Sequence, residues 1–309
     1  MGAVTNFLMV GQQVLILFIL IFAGYVLGKK SIIGEGAGKA LSDIALLLST
    51  PCVIIKSFYE QRSSSLGMLD FGVAMAAAVG VHVVAILIAQ LVYRKDSSRD
   101  RVLRASAVLS NAGFMGLPLQ RALLGTEGVF FGAAYVTVFT LTLWSYGLFT
   151  MDQSARPSAR KLLINPGVIG LTLGVVVFLV PFELPELVLA PISHMAALNT
   201  PIPMLFIGYC LSKVELGKAL RDPFYYTSSV IRLIAVPAVV IAVLFLCNVR
   251  GTLLCSMAIA ACAPTAAAVS MFAGKFGQDA EAASNLVALS TVFSVVTMPL
   301  VVAAAQLIA

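Results

Sequence analysis

The sequence predicts an all-α polytopic membrane protein, with ten transmembrane helices arranged as two inverted five-helix repeats in which helices 4 and 9 are broken and cross. Three observations carry this expectation. Of 309 residues, 60% are hydrophobic and 11% charged, with a mean hydropathy of +1.00, whereas a soluble domain carries about 25% charged residues. Apolar segments recur along the whole chain, each able to cross about 30 Å of hydrocarbon as a helix. A short motif and the loop charges also repeat half a chain apart.

The expected spans run over roughly 10–28, 40–58, 71–93, 102–124, 128–150, 163–180, 187–211, 225–247, 251–274 and 282–308. No Lys or Arg precedes the first apolar run. A cleavable signal peptide wants one there, so this run is expected to be retained, with its start outside. The sixth span contains Pro166 and stops at Pro181, which makes it short or tilted. Basic residues gather in alternate loops: Lys29, Lys30 and Lys39; Arg94, Lys95, Arg99, Arg101 and Arg104; Arg156, Arg160 and Lys161; Lys213, Lys218 and Arg221; and Lys275. The intervening loops hold only Arg62, Arg121 and Arg250. The net charge of +6 is thus read as membrane topology and not as nucleic-acid binding. Both termini are expected outside, in a cell (inner) membrane. Cys52, Cys210, Cys247, Cys255 and Cys262 all lie in or beside apolar runs without ligand spacing, so buried thiols and no metal site are expected.

Leu48-Ser49-Thr50-Pro51 in span two matches Leu198-Asn199-Thr200-Pro201 in span seven, an offset of 150 residues (48 to 198). At nearly the same offset Arg101 opens span four and Arg250 opens span nine. Five spans per half insert the second copy upside down. The expected units are a first repeat over 1–150, a short cytoplasmic linker over 151–165 and a second repeat over 166–309.

Ser110-Asn111-Ala112-Gly113-Phe114-Met115-Gly116-Leu117-Pro118 puts an amide, two glycines and a proline near the middle of span four. Ala261-Cys262-Ala263-Pro264-Thr265 does the same in span nine. Lipid tolerates free backbone N–H and C=O groups only where they face protein or a water-filled cavity. Two helices broken at one depth would cross there, and their half-helix N-termini would carry partial positive charge suited to a carboxylate.

These stretches, with Gly125, Trp144, Ala263-Pro264 and the run from Ala288 to Pro299, resemble the auxin efflux carrier family of membrane transporters over essentially the whole chain. The resemblance implies a scaffold and a transport domain, an elevator-like movement, a relation to bile-acid sodium symporters and, for microbial members, small organic acids as substrates. The short loop after span five differs from the long hydrophilic segment of many plant carriers. Plant members also carry an Asp and a Lys one turn apart early in span three, where Asp70 here is followed by Ala74. A prokaryotic-type member fits both departures.

Each candidate residue has a site role and a structural one. Asn111 is expected to bind substrate, its amide donating to a carboxylate; the alternative is a helix–helix hydrogen bond worth about 0.6 kcal/mol. Gly113 offers backbone N–H groups to the ligand, while Gly116, Pro118 and Pro264 shape the crossover. Ser49, Thr50, Asn199 and Thr200 either satisfy backbone freed by the adjacent prolines or form the polar wall of the site. Thr265 joins that wall. Asp43 is either an interfacial carboxylate or a proton-coupling group, and Arg232 either snorkels to the interface or acts as counter-ion. His82 and His194 are read as packed hydrogen-bonding residues.

The expected function is a secondary transporter of a small organic anion, a mono- or dicarboxylate or an auxin-like acid, working by alternating access at the crossover. The alternative is a sodium-coupled symporter of a larger amphipathic, bile-acid-like substrate. An intramembrane enzyme would need a nucleophile with its base, paired aspartates or a metal motif, and none is present. A channel would need a pore lined by charged rings or carbonyls. No cofactor is expected; Na+ coupling, with carbonyls of the broken helices beside Asn111 and Thr265, H+ coupling and uniport remain alternatives. The bilayer is the constant partner, and a homodimer through the scaffold helices is the assembly to test.

Overall fold

A backbone in hydrocarbon has no water to bond, so every crossing must close its hydrogen bonds within a helix or against a partner. The computed structural model follows this rule. It describes residues 2–62, 66–152, 165–180, 183–214 and 216–309, and the side chains of all of these except 2–7, 216 and 218. Most of the expected linker 151–165, with Arg156, Arg160 and Lys161, lies outside the described residues, as does Pro181.

Besides a single helical turn over Leu216–Ala219, the helices are α1 (Gly2–Lys29), α2 (Glu35–Gln61), α3 (Met68–Val92), α4 (Ser98–Val108), α5 (Ala112–Met151), α6 (Pro166–Leu179), α7 (Glu186–Lys213), α8 (Pro223–Leu246), α9 (Gly251–Cys262), α10 (Ala267–Lys275) and α11 (Ala280–Ile308). Seven of them, α1, α2, α3, α5, α7, α8 and α11, are long and apolar enough to cross a membrane, and α6 and α9 are shorter apolar helices. The chain is thus an all-helical integral membrane protein, and the described residues contain no strand beyond one isolated bridge.

Side chains in the connecting segments start several helices. Ser97 Oγ accepts the Asp100 N–H at 3.1 Å, and the carboxylates of Asp222 and Asp279 accept the N–H groups of Phe224 and Ala282 at 2.9 Å. Each removes one of the unpaired first-turn donors. Gly125 takes φ +66°, ψ −147°, a conformation open to glycine, and divides α5 into two arms, 112–124 and 126–151.

Lipid tails give no hydrophobic drive for helix association, so close packing of small residues does the work. A Cβ built on Gly208 of α7 would lie 2.0 Å from the Ile21 carbonyl oxygen, and one on Gly24 of α1 only 2.3 Å from the Leu205 oxygen. α6 packs on the second part of α2 in a similar way, with Gly170 against Pro51 and Gly174 against the Phe58 ring. Phe58, Phe71 and Phe130 join α2, α3 and α5 edge to face, their centroids 4.9 to 5.2 Å apart. On α9, Ala258, Ala260 and Ala261 are fully buried and admit α5 closely, with a Cβ on Gly116 only 3.7 Å from the Ala260 Cα.

Candidate functional site

The site begins with two interruptions. α4 ends at Val108 and α5 begins at Ala112; α9 ends at Cys262 and α10 begins at Ala267. Both connecting segments are extended, with Leu109 at φ −88°, ψ 100° and Ala263 at φ −61°, ψ 146°. They run antiparallel and pair: Asn111 N–H donates to the Pro264 carbonyl at 2.7 Å, Ala266 N–H donates to the Leu109 carbonyl at 2.9 Å, and Ser110 sits opposite Thr265. Backbone groups that a break would strand in lipid thereby satisfy each other.

Side chains complete the junction. Thr265 is 1% exposed; its hydroxyl donates to the Ser106 carbonyl at 3.3 Å and its N–H donates to Ser290 Oγ at 3.1 Å. Ser110 and Tyr135 hydroxyls pair at 3.0 Å. Arg232, in a widened turn of α8, is 1% exposed. Its guanidinium donates to the carbonyls of Ala107, Ala261 and Ala263, at the carboxyl ends of α4 and α9. Its donors are taken up inside the protein, so the side chain does not snorkel to an interface.

A cleft of about 320 Å³ opens on the other ends of the break, where α5 and α10 begin. Asn111, Gly113 and Thr50 line it together with Ser110, Phe114, Ala266 and Ala267. Asn111 is 5% exposed and its Nδ2 is buried without a hydrogen-bond partner. A buried amide donor left unpaired costs about 1–3 kcal/mol, which a bound acceptor would recover. α5 and α10 both begin beside this cleft, and a helix N-terminus carries partial positive charge on its first-turn N–H groups. Most of the remaining wall is apolar, including Val136, Phe139, Leu143, Trp144 and Phe206, with Lys275 at its rim.

The second motif behaves differently. Thr50 Oγ1 donates to the Ala45 carbonyl at 2.8 Å and also lies 3.1 Å from Asn199 Oδ1. Asn199 Nδ2 donates to the Gly113 carbonyl at 3.4 Å, linking α7 to the start of α5. Ser49 turns away, giving its hydroxyl to the Met195 carbonyl at 2.9 Å. Asn199 and Thr200 line a separate cleft of about 160 Å³ with Pro118, Lys56, Glu60 and Arg121. Ser42 borders the first cleft and Glu60 the second, so the two approach opposite ends of α2.

The structure therefore gathers Asn111, Gly113 and Thr50 at one cleft and Asn199, Thr200 and Pro118 at the other, buries Thr265, Pro264 and Gly116 at the junction, and leaves Ser49 buried at the contact of α2 with α7. Asp43 is partly buried and belongs to neither wall. His82 is buried on α3, with Nδ1 2.8 Å from the Ala78 carbonyl and its ring against Tyr135. Ser42, Trp144, Phe206 and Lys275 line the first cleft without having been singled out as site residues in the sequence. Ser42 has the clearest signal, a hydroxyl one position before Asp43 in an apolar span, and its Oγ is buried without a partner. Among the described residues no cluster of His, Cys, Asp and Glu could hold a metal ion.

Comparison with known proteins gives a consistent picture. A family model described as membrane transport protein matches residues 9–302. An uncharacterized transporter of Methanothermobacter thermautotrophicus is 24% identical over 296 residues, covering 94% of this chain and 96% of its own length. An uncharacterized transporter of Methanocaldococcus jannaschii is 23% identical over 300 residues, covering 93% of this chain and 96% of its own.

Proposed function

Because the chain belongs to the auxin efflux carrier family of membrane transport proteins, we propose that it carries a small organic anion across the cell membrane by alternating access at the crossover. The observation that carries this reading is the unpartnered Asn111 Nδ2, buried in a cleft where two half-helices begin. A carboxylate there would accept from the amide and from first-turn N–H groups. The apolar wall with Trp144 and Phe206 favours an acid with an apolar body over a compact dicarboxylate. A cleft of about 320 Å³ also favours a small acid over a bile-acid-sized one.

Counting each broken pair, α4 with the first arm of α5 and α9 with α10, as one crossing, we read ten crossings; an even number keeps both termini on one side, and the loop charges favour the outside. Two inverted repeats agree with the packing: Gly24 meets α7 near Gly208, while Gly174, 150 residues on, meets Phe58, 150 residues before Gly208. On this reading α1, α2, α6 and α7 form a scaffold, and the crossover with its neighbours moves against it as an elevator. The Thr50–Asn199–Gly113 link spans that boundary.

The test is thermal unfolding of the purified protein with short monocarboxylates, dicarboxylates and indole-3-acetate. A ligand that binds only the folded state raises the midpoint by mass action. Stabilisation by monocarboxylates with an apolar body, absent from Asn111→Ala, is the expected outcome. Equal stabilisation of wild type and Asn111→Ala removes Asn111 from the site, and a monodisperse protein that no acid stabilises removes the organic-anion reading.

A further inference from the structure

We propose that Arg232 is the resident cation of the crossover: its guanidinium fills the carbonyl cage at the carboxyl ends of α4 and α9, so that this cage takes no coupling sodium ion. The inference goes beyond the choice of substrate, and its test needs none.

The first support is the completeness of the cage. Nε donates to the Ala263 carbonyl at 3.2 Å, Nη1 to that of Ala107 at 2.8 Å, and Nη2 to those of Ala261 at 2.7 Å and Ala263 at 3.1 Å. Carbonyls from two unwound helices are the ligands a hard cation takes in a membrane interior. Here the planar fork of the guanidinium has taken them.

The second support is charge. No carboxylate is among the partners found for Arg232, which is 1% exposed, and none of the ion pairs among the described residues involves it. What balances it is the pair of helix ends. Each helix C-terminus carries about half a negative elementary charge, so the two together offset about one positive charge. A sodium ion beside Arg232 would leave the cage with an excess of one positive charge in a medium of low dielectric. At the opposite ends of the break the signs reverse. The N-termini of α5 and α10 line the cleft with no acidic residue in its wall.

The test reads thermal unfolding of the purified full chain in detergent at constant ionic strength. Wild-type midpoints are expected to be equal in sodium chloride and in choline chloride; a rise of several degrees specific to sodium overturns the proposal. Arg232→Ala empties the cage, and its midpoint is measured in choline chloride with and without a few millimolar guanidinium chloride. A lowered midpoint that guanidinium raises in the variant but not in the wild type is expected. A folded variant that guanidinium leaves unchanged overturns the proposal. Should Arg232→Ala fail to fold, Arg232→Lys and Arg232→Met decide between charge and volume. The lysine variant is expected to melt higher; an equal or higher midpoint for Arg232→Met overturns the proposal, and the wild-type sodium result stands whichever variants fold.

Discussion

Two places in this molecule interrupt helices beside proline, and they resolve the interruption differently. At the crossover both chains leave helical geometry, and their extended backbones bond to each other and to Arg232. At the contact of α2 with α7, the same Thr-Pro pair occurs twice, as Thr50-Pro51 and Thr200-Pro201. α2 nevertheless passes through as a continuous helix with one widened turn over Ala45–Ser49, while α7 unwinds over 198–200. The difference lies in whether the backbone ladder continues. In α2 the N–H and the hydroxyl of Thr50 both reach the Ala45 carbonyl across the widened turn, so the helix runs on past Pro51. Proline removes a donor, but available partners decide whether the helix ends.

The largest test of this contrast is Arg232→Met. It leaves three buried carbonyls short of a charged donor, and a loss on the order of 3–5 kcal/mol of stability is expected, read by unfolding midpoint and by monodispersity in detergent. Retained stability would mean that backbone pairing alone holds the crossover. Next comes Asn111→Ala. It removes an amide that already lacks a partner, so the unfolding midpoint should barely move while affinity for the carried acid falls about 10- to 100-fold, a loss of about 1.5–3 kcal/mol. Isothermal titration with the acid found by thermal shift checks it.

Pro264→Ala is expected to cost less than about 1 kcal/mol. Pro264 contributes its carbonyl to the bridge, and alanine keeps that carbonyl. A loss well above this value would return the break to proline itself. A double-mutant cycle on Thr50→Val and Asn199→Ala should give a coupling of about 0.6 kcal/mol, the usual size of such a bond in a membrane interior. A coupling several times larger would rank this link with the crossover.

The smallest effect belongs to the loop ends. Accepting the Phe224 N–H, and then the Arg99 guanidinium at 2.6 Å, holds Asp222 below the ordinary carboxylate range. A depressed folded value means that its contribution is present above the unfolded value and fades as pH falls through the folded one. The difference in unfolding midpoint between wild type and Asp222→Asn, whose amide still caps the helix, should therefore be small but constant above about pH 4 and vanish only as the pH falls further, through the lowered folded value. A difference that persists in acid would assign it to packing.

Much of this was readable in the sequence, for identifiable reasons. Asn111 and Pro264 are residue types that disrupt an apolar helix and they stand in the two breaks, whereas Gly116 and Pro118 fall within the first arm of α5, past the break. The matched motifs marked Thr50 and Asn199 as corresponding polar positions, but neither their mutual bond nor which of the two helices would unwind could be read, because both carry the same dipeptide. Arg232 was readable only as an isolated charge. It donates to the backbone carbonyls of Ala107, Ala261 and Ala263 and also meets the Tyr135 hydroxyl, and an alanine carbonyl leaves no mark in a sequence. The wall of Trp144, Phe206 and Lys275 depends on how distant helices pack, which residue type alone does not encode.

The contact of Gly24 with Gly208 has a mechanical consequence. α1 and the second half of α7 meet backbone to backbone, with no side-chain cushion between them. Sliding one along the other by a residue would drive Ile21 or Leu205 into the space that only a hydrogen now occupies. The two helices are therefore keyed in register, like a tenon in its mortise, and behave as one stiff beam. A beam of this kind bears load without yielding, and under the proposed alternating access it would be the fixed rail against which the crossover is displaced.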